Sequence, residues 1–497
     1  MFPLRNLKAE DWLPSALGIA CVFCAHQLAL GQTTWTERDS SVTTTLHGVT
    51  FGDGVFIAVG NAGVVLRSED GVEWTRVPVS GGHNFQGVCH GRGLYLAVTQ
   101  TGEILYSPDS FTWFGRRVAA GSLTTVTLAH SRFVAGGAQG RIYLSDDGVS
   151  WIEQTTPGNQ ELRSLTSYGG VMVAAGFLAA MWTSPDGEEW TPQNISAFPA
   201  FTSVLHFNGE FIATVGSGAS MHRSGNGFSW NSGVNGTGAR LNALAKGLRS
   251  IVAVGFDQTV FSSTNGVNWA ERHRGDTSQL RSVAYGNGRF VAVGDGGAIF
   301  TSPETAVPEV IVSLEVVDAI ASETGTNAAH VRLSRAGGSS QPLSVTLALG
   351  GTATSGVDYE TLGPIIEIPA GVSETNLIVQ AIADTEAEPR EIVTISVVSA
   401  EGAAVDPLSE TVAVFITDLA EPSDGPKLSA VAGVPGRGAV LQLTSVAGLA
   451  ANLEAAEDLW GFEAWQFAFP VTNPFGQVLF VDPAATNYPS RYYRTAP

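Results

Sequence analysis

Asp257 and Asp295 stand 38 residues apart, each shortly after a Val-Gly pair, in VGFDQ and VGDGG. Two carboxylates about 5 to 9.5 Å apart across a glycosidic bond are what glycoside hydrolysis requires, and this pair is the best candidate for such a pair, although no residues are assigned a catalytic role and both are read as ligand-binding. Ordinary solvated turn aspartates are the competing reading. Asn61, Gln100, Gln139 and Phe177 occupy comparable places further up the chain and offer amide or aromatic groups to a ligand. The chain has neither a zinc-type spacing of His and Cys nor a glycine-rich phosphate loop. Cys21 and Cys24 lie in an amino-terminal apolar run, and Cys89 has strand-like flanks that read as core.

These candidates belong to a unit that recurs seven times, marked by Ser68, Ser107, Ser145, Ser184, Ser224, Ser263 and Ser302 at intervals of 38 to 40 residues. Its segments are SEDGVEW, SPDSFTW, SDDGVSW, SPDGEEW, SGNGFSW, STNGVNW and SPETAVP, six of them ending in tryptophan. Each follows a run such as RSVAYGNGRFVAVGDGGAIF, in which alternating apolar residues are interrupted by Gly and Asn. This is the pattern of short strands joined by tight turns that need positive φ. Four strands cannot bury a face alone, whereas radial stacking buries them together. An all-β, seven-bladed β-propeller over residues 32–306 is therefore expected. Trp35 stands 39 residues before Trp74, while the seventh unit lacks its tryptophan, so residues 33–38 are expected to complete the last blade.

In a four-strand meander the second-to-third turns and the blade-to-blade connections emerge on one side. That face would present Asn61, Gln100, Gln139, Phe177, Asp257 and Asp295 beside Arg116, Arg117, Arg240, His273 and Arg274. It is the expected ligand surface.

The repeated segments resemble the Asp-box propellers of the sialidase-like and photosystem-assembly-factor type, whose repeats end in Ser-x-Asp-x-Gly-x-x-Trp. Here the Asp-to-Gly spacing is one residue shorter, and no Arg-Ile-Pro segment precedes the first box. The resemblance implies a structural turn braced by Asp70, Asp147 and Asp186, with Asn226 and Asn265 as substitutes, rather than a catalytic group.

Beyond Pro308 the pattern changes to longer alternating strands, including VIVSLEVVDA, LSVTLALGG and EIVTISVVSA, seven in all. This describes an immunoglobulin-like β-sandwich over residues 307–422. GTATSGVDYETL, IPAGVSE and DTEAEPREIVTI resemble the Calx-β domain. The resemblance implies a calcium site at one end of the sandwich, with Glu323, Asp358, Asp384, Glu388, Glu391 and Asp418 at the family's acidic positions. Ala383, Leu419 and Ala420 replace acids expected there. Solvated loop charges are the competing reading.

Residues 423–497 read as a small β-module resembling the terminal module of many secreted bacterial proteins, with Trp460, Trp465, Tyr492 and Tyr493 as its expected core. At the other end, Arg5 and Lys8, the apolar run from Leu13 to Ala25 and the small residues Ala29 and Gly31 read as a signal peptide over residues 1–31, with a membrane anchor as the alternative. The formal net charge of -20 argues against nucleic acid, which is held through clustered Lys and Arg.

The composite reading is an exported, secreted or cell-surface binding and adhesion protein. Its propeller would recognise a surface ligand, carbohydrate or protein, and its sandwich would be stiffened by calcium. A carbohydrate-active hydrolase of sialidase-like propeller fold, and an assembly factor associated with a membrane complex, are the alternatives.

Overall fold

The computed structural model describes residues 35–417 except 157, 196–198, 217–219, 235–236, 303–309, 324–326, 339, 385–387 and 389, and beyond 417 only the backbone of six strands. The amino-terminal apolar run, Asp418, Trp460 and Trp465 lie outside the described residues, as do the side chains of Tyr492 and Tyr493.

Among the described residues, seven four-stranded antiparallel sheets occupy residues 36–301. Six are simple meanders; the first runs Leu46–Gly52, Val55–Gly60, Val65–Ser68 and Thr75–Val77. The seventh combines Leu280–Gly286, Arg289–Gly294 and Ile299–Thr301 with the chain's first strand, Thr36–Arg38, which pairs antiparallel with Ile299–Thr301. The first strand of each sheet packs on that of the next, and Leu280–Gly286 packs back on Leu46–Gly52, so the sheets close into a ring. This is a β-propeller, and the closure expected from Trp35 is present: its indole is buried against Val252, Leu280 and Phe300.

The recurrent seven-residue segments explain the regularity. In the first, Asp70 Oδ1 accepts hydrogen bonds from Ser68 Oγ (3.1 Å) and from the backbone N–H groups of Val72 (2.8 Å) and Glu73 (3.0 Å). Ser68 Oγ accepts from Gly71 N–H (2.8 Å), and Trp74 Nε1 donates to Gly71 O (3.1 Å). Asp147 and Asp186 repeat the arrangement, and Asn226 and Asn265 reproduce it through their amide oxygens. Gly71 has φ +75°, a conformation that a Cβ disfavours. In the second segment Ser110 takes that place at φ +64°.

Residues 310–417 form two further sheets, of four and five strands. The seven expected strands are present, and two short ones are added. The first long strand changes sheet: Val310–Asp318 pairs with Ala329–Gly337, and Ile320–Ser322 then lies parallel to Thr411–Thr417 in the other sheet. Ala404–Val405 adds a two-residue edge to the first sheet. Alternate apolar residues such as Val331, Leu333, Val345, Ile395 and Val414 fill the space between the sheets. Two three-stranded sheets, between 427 and 496, follow.

Candidate functional site

Three carboxylates of the second unit converge. Glu323, Glu388 and Glu391 each offer an oxygen within 4.8 Å of the other two. Glu323 is buried just after Ile320–Ser322, its N–H donating to Thr417 O (3.1 Å), and Glu391 opens the strand Glu391–Ala400. Burial and the neighbouring charges of Asp358, Glu388 and Glu323 push the Glu391 carboxyl up to about 7, because a second and third negative charge disfavour ionisation. Glu391 Oε2 is buried with no hydrogen-bond donor among the described residues. Asp358 is buried beside them and accepts the Thr354 N–H at 2.6 Å. Asp384 is exposed and does not join the three. Of the six sequence candidates, then, three share one point, Asp358 supplies charge to it, Asp384 lies outside it, and Asp418 is outside the described residues. Three hard oxygen donors and an orphaned buried carboxylate oxygen fit a cation of the calcium type.

The ring carries its polar groups differently. Asn61, Ala138, Phe256 and Asp295 each begin a one-turn 3₁₀ segment between the second and third strands of a sheet. Gln139 and Asp257 sit at φ +62° and +55° within theirs. These turns share a face with the sheet-to-sheet connections: Gly63 N–H donates to His83 O (2.7 Å), Gln258 N–H to Ser278 O (2.9 Å) and Gly275 N–H to Asp257 O (3.0 Å).

The candidate carboxylate pair is occupied by arginines. Asp295 Oδ1 accepts from Arg281 Nε at 2.6 Å, and Asp257 lies 3.6 Å from Arg274. Phe177 is exposed and carries the Arg163 guanidinium 5.2 Å above its ring. Gln100 and Asn61 stay at the rim, where the Asn61 carboxamide oxygen meets His47 Nε2 at 3.1 Å.

One set of residues escaped the sequence reading. In all seven first strands the pairing slips between the first and third residue, a β-bulge at one repeated place. The residue inside each slip is polar: His47, Gln86, Thr124, Arg163, Thr202, Asn242 and Arg281. Bulges re-aim side chains. Several of these bond within the rim, Arg281 to Asp295 and Asn242 to the Leu280 carbonyl oxygen at 2.9 Å. The signal was available as a polar residue following the first apolar residue of every inner strand.

On the opposite face the second unit packs against part of the ring. Ser131, in a turn between the first two strands of its sheet, donates its hydroxyl to Ala413 O (2.8 Å) and accepts the Ala413 N–H (2.9 Å). Lys246 and Glu410 form an ion pair, beside His206 stacked on Tyr168 at 3.4 Å. A Cβ on Gly170 would meet Gly351 N at 2.4 Å, so two glycine pairs, 169–170 and 350–351, allow backbone to touch backbone. Within the ring lies a cavity of about 820 Å³, walled by inner-strand residues such as Thr50, Thr127 and Thr166 and bounded by Leu314, Val316, Leu408 and Glu410 of the second unit.

Comparison with known proteins finds solved structures that are similar to part of the chain. The chain is similar to YCF48 bound to D1 peptide, at 17% identity over 54% of this chain and 96% of that one, with a TM-score of 0.46. YCF48 from Cyanidioschyzon merolae matches at 17% identity over 54% and 98%, TM-score 0.44. The WD40 β-propeller domain of Doa1 matches at 14% identity over 54% and 97%, TM-score 0.46. No family model and no curated protein matches the chain.

Proposed function

We propose that this chain is an exported surface-binding and adhesion protein: a seven-bladed propeller that recognises its ligand on the turn-bearing face, a Calx-β-like sandwich that packs on the other face and holds calcium, and a terminal β-module. The observation that carries the reading is the asymmetry of the ring. One mouth is partly covered by the sandwich, which touches four neighbouring sheets, and the other is rimmed by polar side chains that differ from blade to blade, as specific recognition requires. Arg163, Arg281 and Gln86 supply hydrogen-bond donors there, and Phe177 an exposed ring that can stack on a sugar or insert into a protein surface. Binding is favoured over hydrolysis because Asp295 and Asp257 are each paired with an arginine of the rim, Arg281 and Arg274.

Calcium enters through Glu323, Glu388 and Glu391. When bound, the ion supplies positive charge where three carboxylates otherwise repel one another.

The test is a combined glycan and peptide array probed with the mature full-length chain. Saturable binding that is lost in Arg163→Ala with Arg281→Ala, and kept in Lys246→Ala on the sandwich-facing side, supports the reading. Equal loss in both variants would place the ligand elsewhere. Turnover of an arrayed polysaccharide that stops in Asp295→Ala would replace binding by hydrolysis.

A further inference from the structure

One histidine of the ring meets the sandwich at a point where three neighbouring sheets converge. His206 is the sixth residue of the inner strand Phe201–Phe207 and is buried, at 4% exposure. Its imidazole stacks on Tyr168 of the preceding sheet at 3.4 Å, the two planes 10° apart, and Phe211 of its own sheet meets it edge-on at 5.3 Å. Lys246, which ends the inner strand of the following sheet, pairs with Glu410 of the sandwich. His206 Nδ1 faces the same carboxylate at 3.7 Å, beyond hydrogen-bond reach, and is buried with no hydrogen-bond partner among the described residues. One sandwich carboxylate thus stands before two basic side chains of the ring.

The titratable and charged groups that face His206 are Tyr168, Lys246 and Glu410, one from each element packed against it. Glu410 already has its counter-ion in Lys246, so a proton on His206 would add a second cation beside a single carboxylate, at a place the contact keeps from water. Burial holds the imidazole below its ordinary 6.5; Glu410 acts in the other direction, and Lys246 adds to the lowering. Once the sandwich lifts away, the imidazole meets water and burial no longer opposes its charge. Protons therefore favour the undocked state. Docking is at full strength above about pH 6.5 and weakens as pH falls below that value.

We propose that His206 is an acid-sensitive latch between ring and sandwich: its charged form needs water that the closed contact shuts out, so acidification releases the sandwich from the ring. Two features tie the latch to the rest of the contact. Glu410 immediately precedes the strand Thr411–Thr417, whose Ala413 N–H and C=O are both taken by the Ser131 hydroxyl, so withdrawal of Glu410 loosens that bond pair as well. Leu408 and Glu410 also bound the cavity within the ring, and their departure widens the opening into it. The pH then sets how far the ring is open on its sandwich side.

The experiment is hydrogen–deuterium exchange on the full mature chain at pH 7.5 and 5.5, each amide expressed as protection relative to the unfolded chain at the same pH. The Ala413 amide, whose acceptor is the Ser131 hydroxyl, reports docking. The Val49 amide, which donates to Ser282 Oγ at 3.2 Å across the seam of first and last sheets, reports the ring itself. Between the two pH values Ala413 is expected to lose about threefold to tenfold of its protection, the upper figure being the limit for one histidine of ordinary pKa that must stay neutral to dock. Val49 is expected to keep its protection. His206→Phe, which retains a ring against Tyr168 and cannot charge, is expected to hold Ala413 protection constant across the range, and His206→Gln, a second uncharged variant, is expected to do the same from whatever level of docking it retains. Unchanged Ala413 protection in the wild type overturns the proposal. So does an equal loss at Val49, which would mean general loosening, and so does an acid-dependent loss at Ala413 that persists in both variants.

Discussion

The ring and the sandwich use the same side chain in opposite ways. In the ring, Asp70, Asp147 and Asp186 each collect donors: a serine hydroxyl and two backbone N–H groups converge on one oxygen, and the carboxylate serves as a staple for its own turn. In the sandwich, Glu323, Glu388 and Glu391 collect one another. An asparagine can do the first job, and does so at Asn226 and Asn265. It cannot supply the charge that the second arrangement offers to a cation. What an acid accepts from, more than its exposure, separates the two arrangements.

The comparison can be broken most severely at the ring's closure. Trp35→Ala removes a buried indole from the seam where the first strand completes the last sheet, and should cost about 3 to 5 kcal/mol in chemical denaturation followed by tryptophan fluorescence. A loss below about 1 kcal/mol would mean that the seam does not depend on that side chain. At the next level, Asp147→Ala should cost about 1 to 2 kcal/mol, because two backbone N–H groups lose their acceptor. Asp147→Asn should restore most of it, and a failure of that rescue would show that the charge matters in the ring after all.

The smallest effect concerns pH. Glu391 is raised to about 7 in the folded state from an ordinary 4.5, so between those values the native chain binds more protons than the unfolded one. The stability this contributes is complete below about pH 4.5 and is lost as pH rises through 7. In EGTA the sandwich should therefore melt at a lower temperature at pH 8 than at pH 5.5, Glu391→Gln should flatten that slope, and saturating calcium should reverse it. A melting profile in EGTA that does not change between those pH values would contradict the crowding of charge described here.

Much of the ring was legible because its chemistry is local. Ser68, Asp70, Gly71 and Trp74 complete one another within seven residues, and the spacing from Trp35 to Trp74 matched the repeat closely enough to expose the closure. The sandwich strands were equally readable from alternation. The change of sheet at Asp318 was not, since a bulge and a strand switch leave the alternation almost intact. The docking of sandwich on ring was invisible for another reason. Its bonds join residues 282 positions apart, run through a serine hydroxyl and backbone, and depend on glycine pairs that read as ordinary turns. The arginines paired with Asp257 and Asp295, Arg274 and Arg281, were not legible because they come from a connection and an inner strand whose aim only the fold defines.

Calcium calorimetry on three forms of the full-length chain tests the contrast between the two kinds of carboxylate most directly. The wild type and Asp147→Asn should bind calcium alike, and Glu391→Gln should weaken binding by about tenfold or more, the loss expected when one of the few carboxylate ligands is neutralised. Binding that is absent from the wild type, or that falls equally in Asp147→Asn and Glu391→Gln, would contradict it.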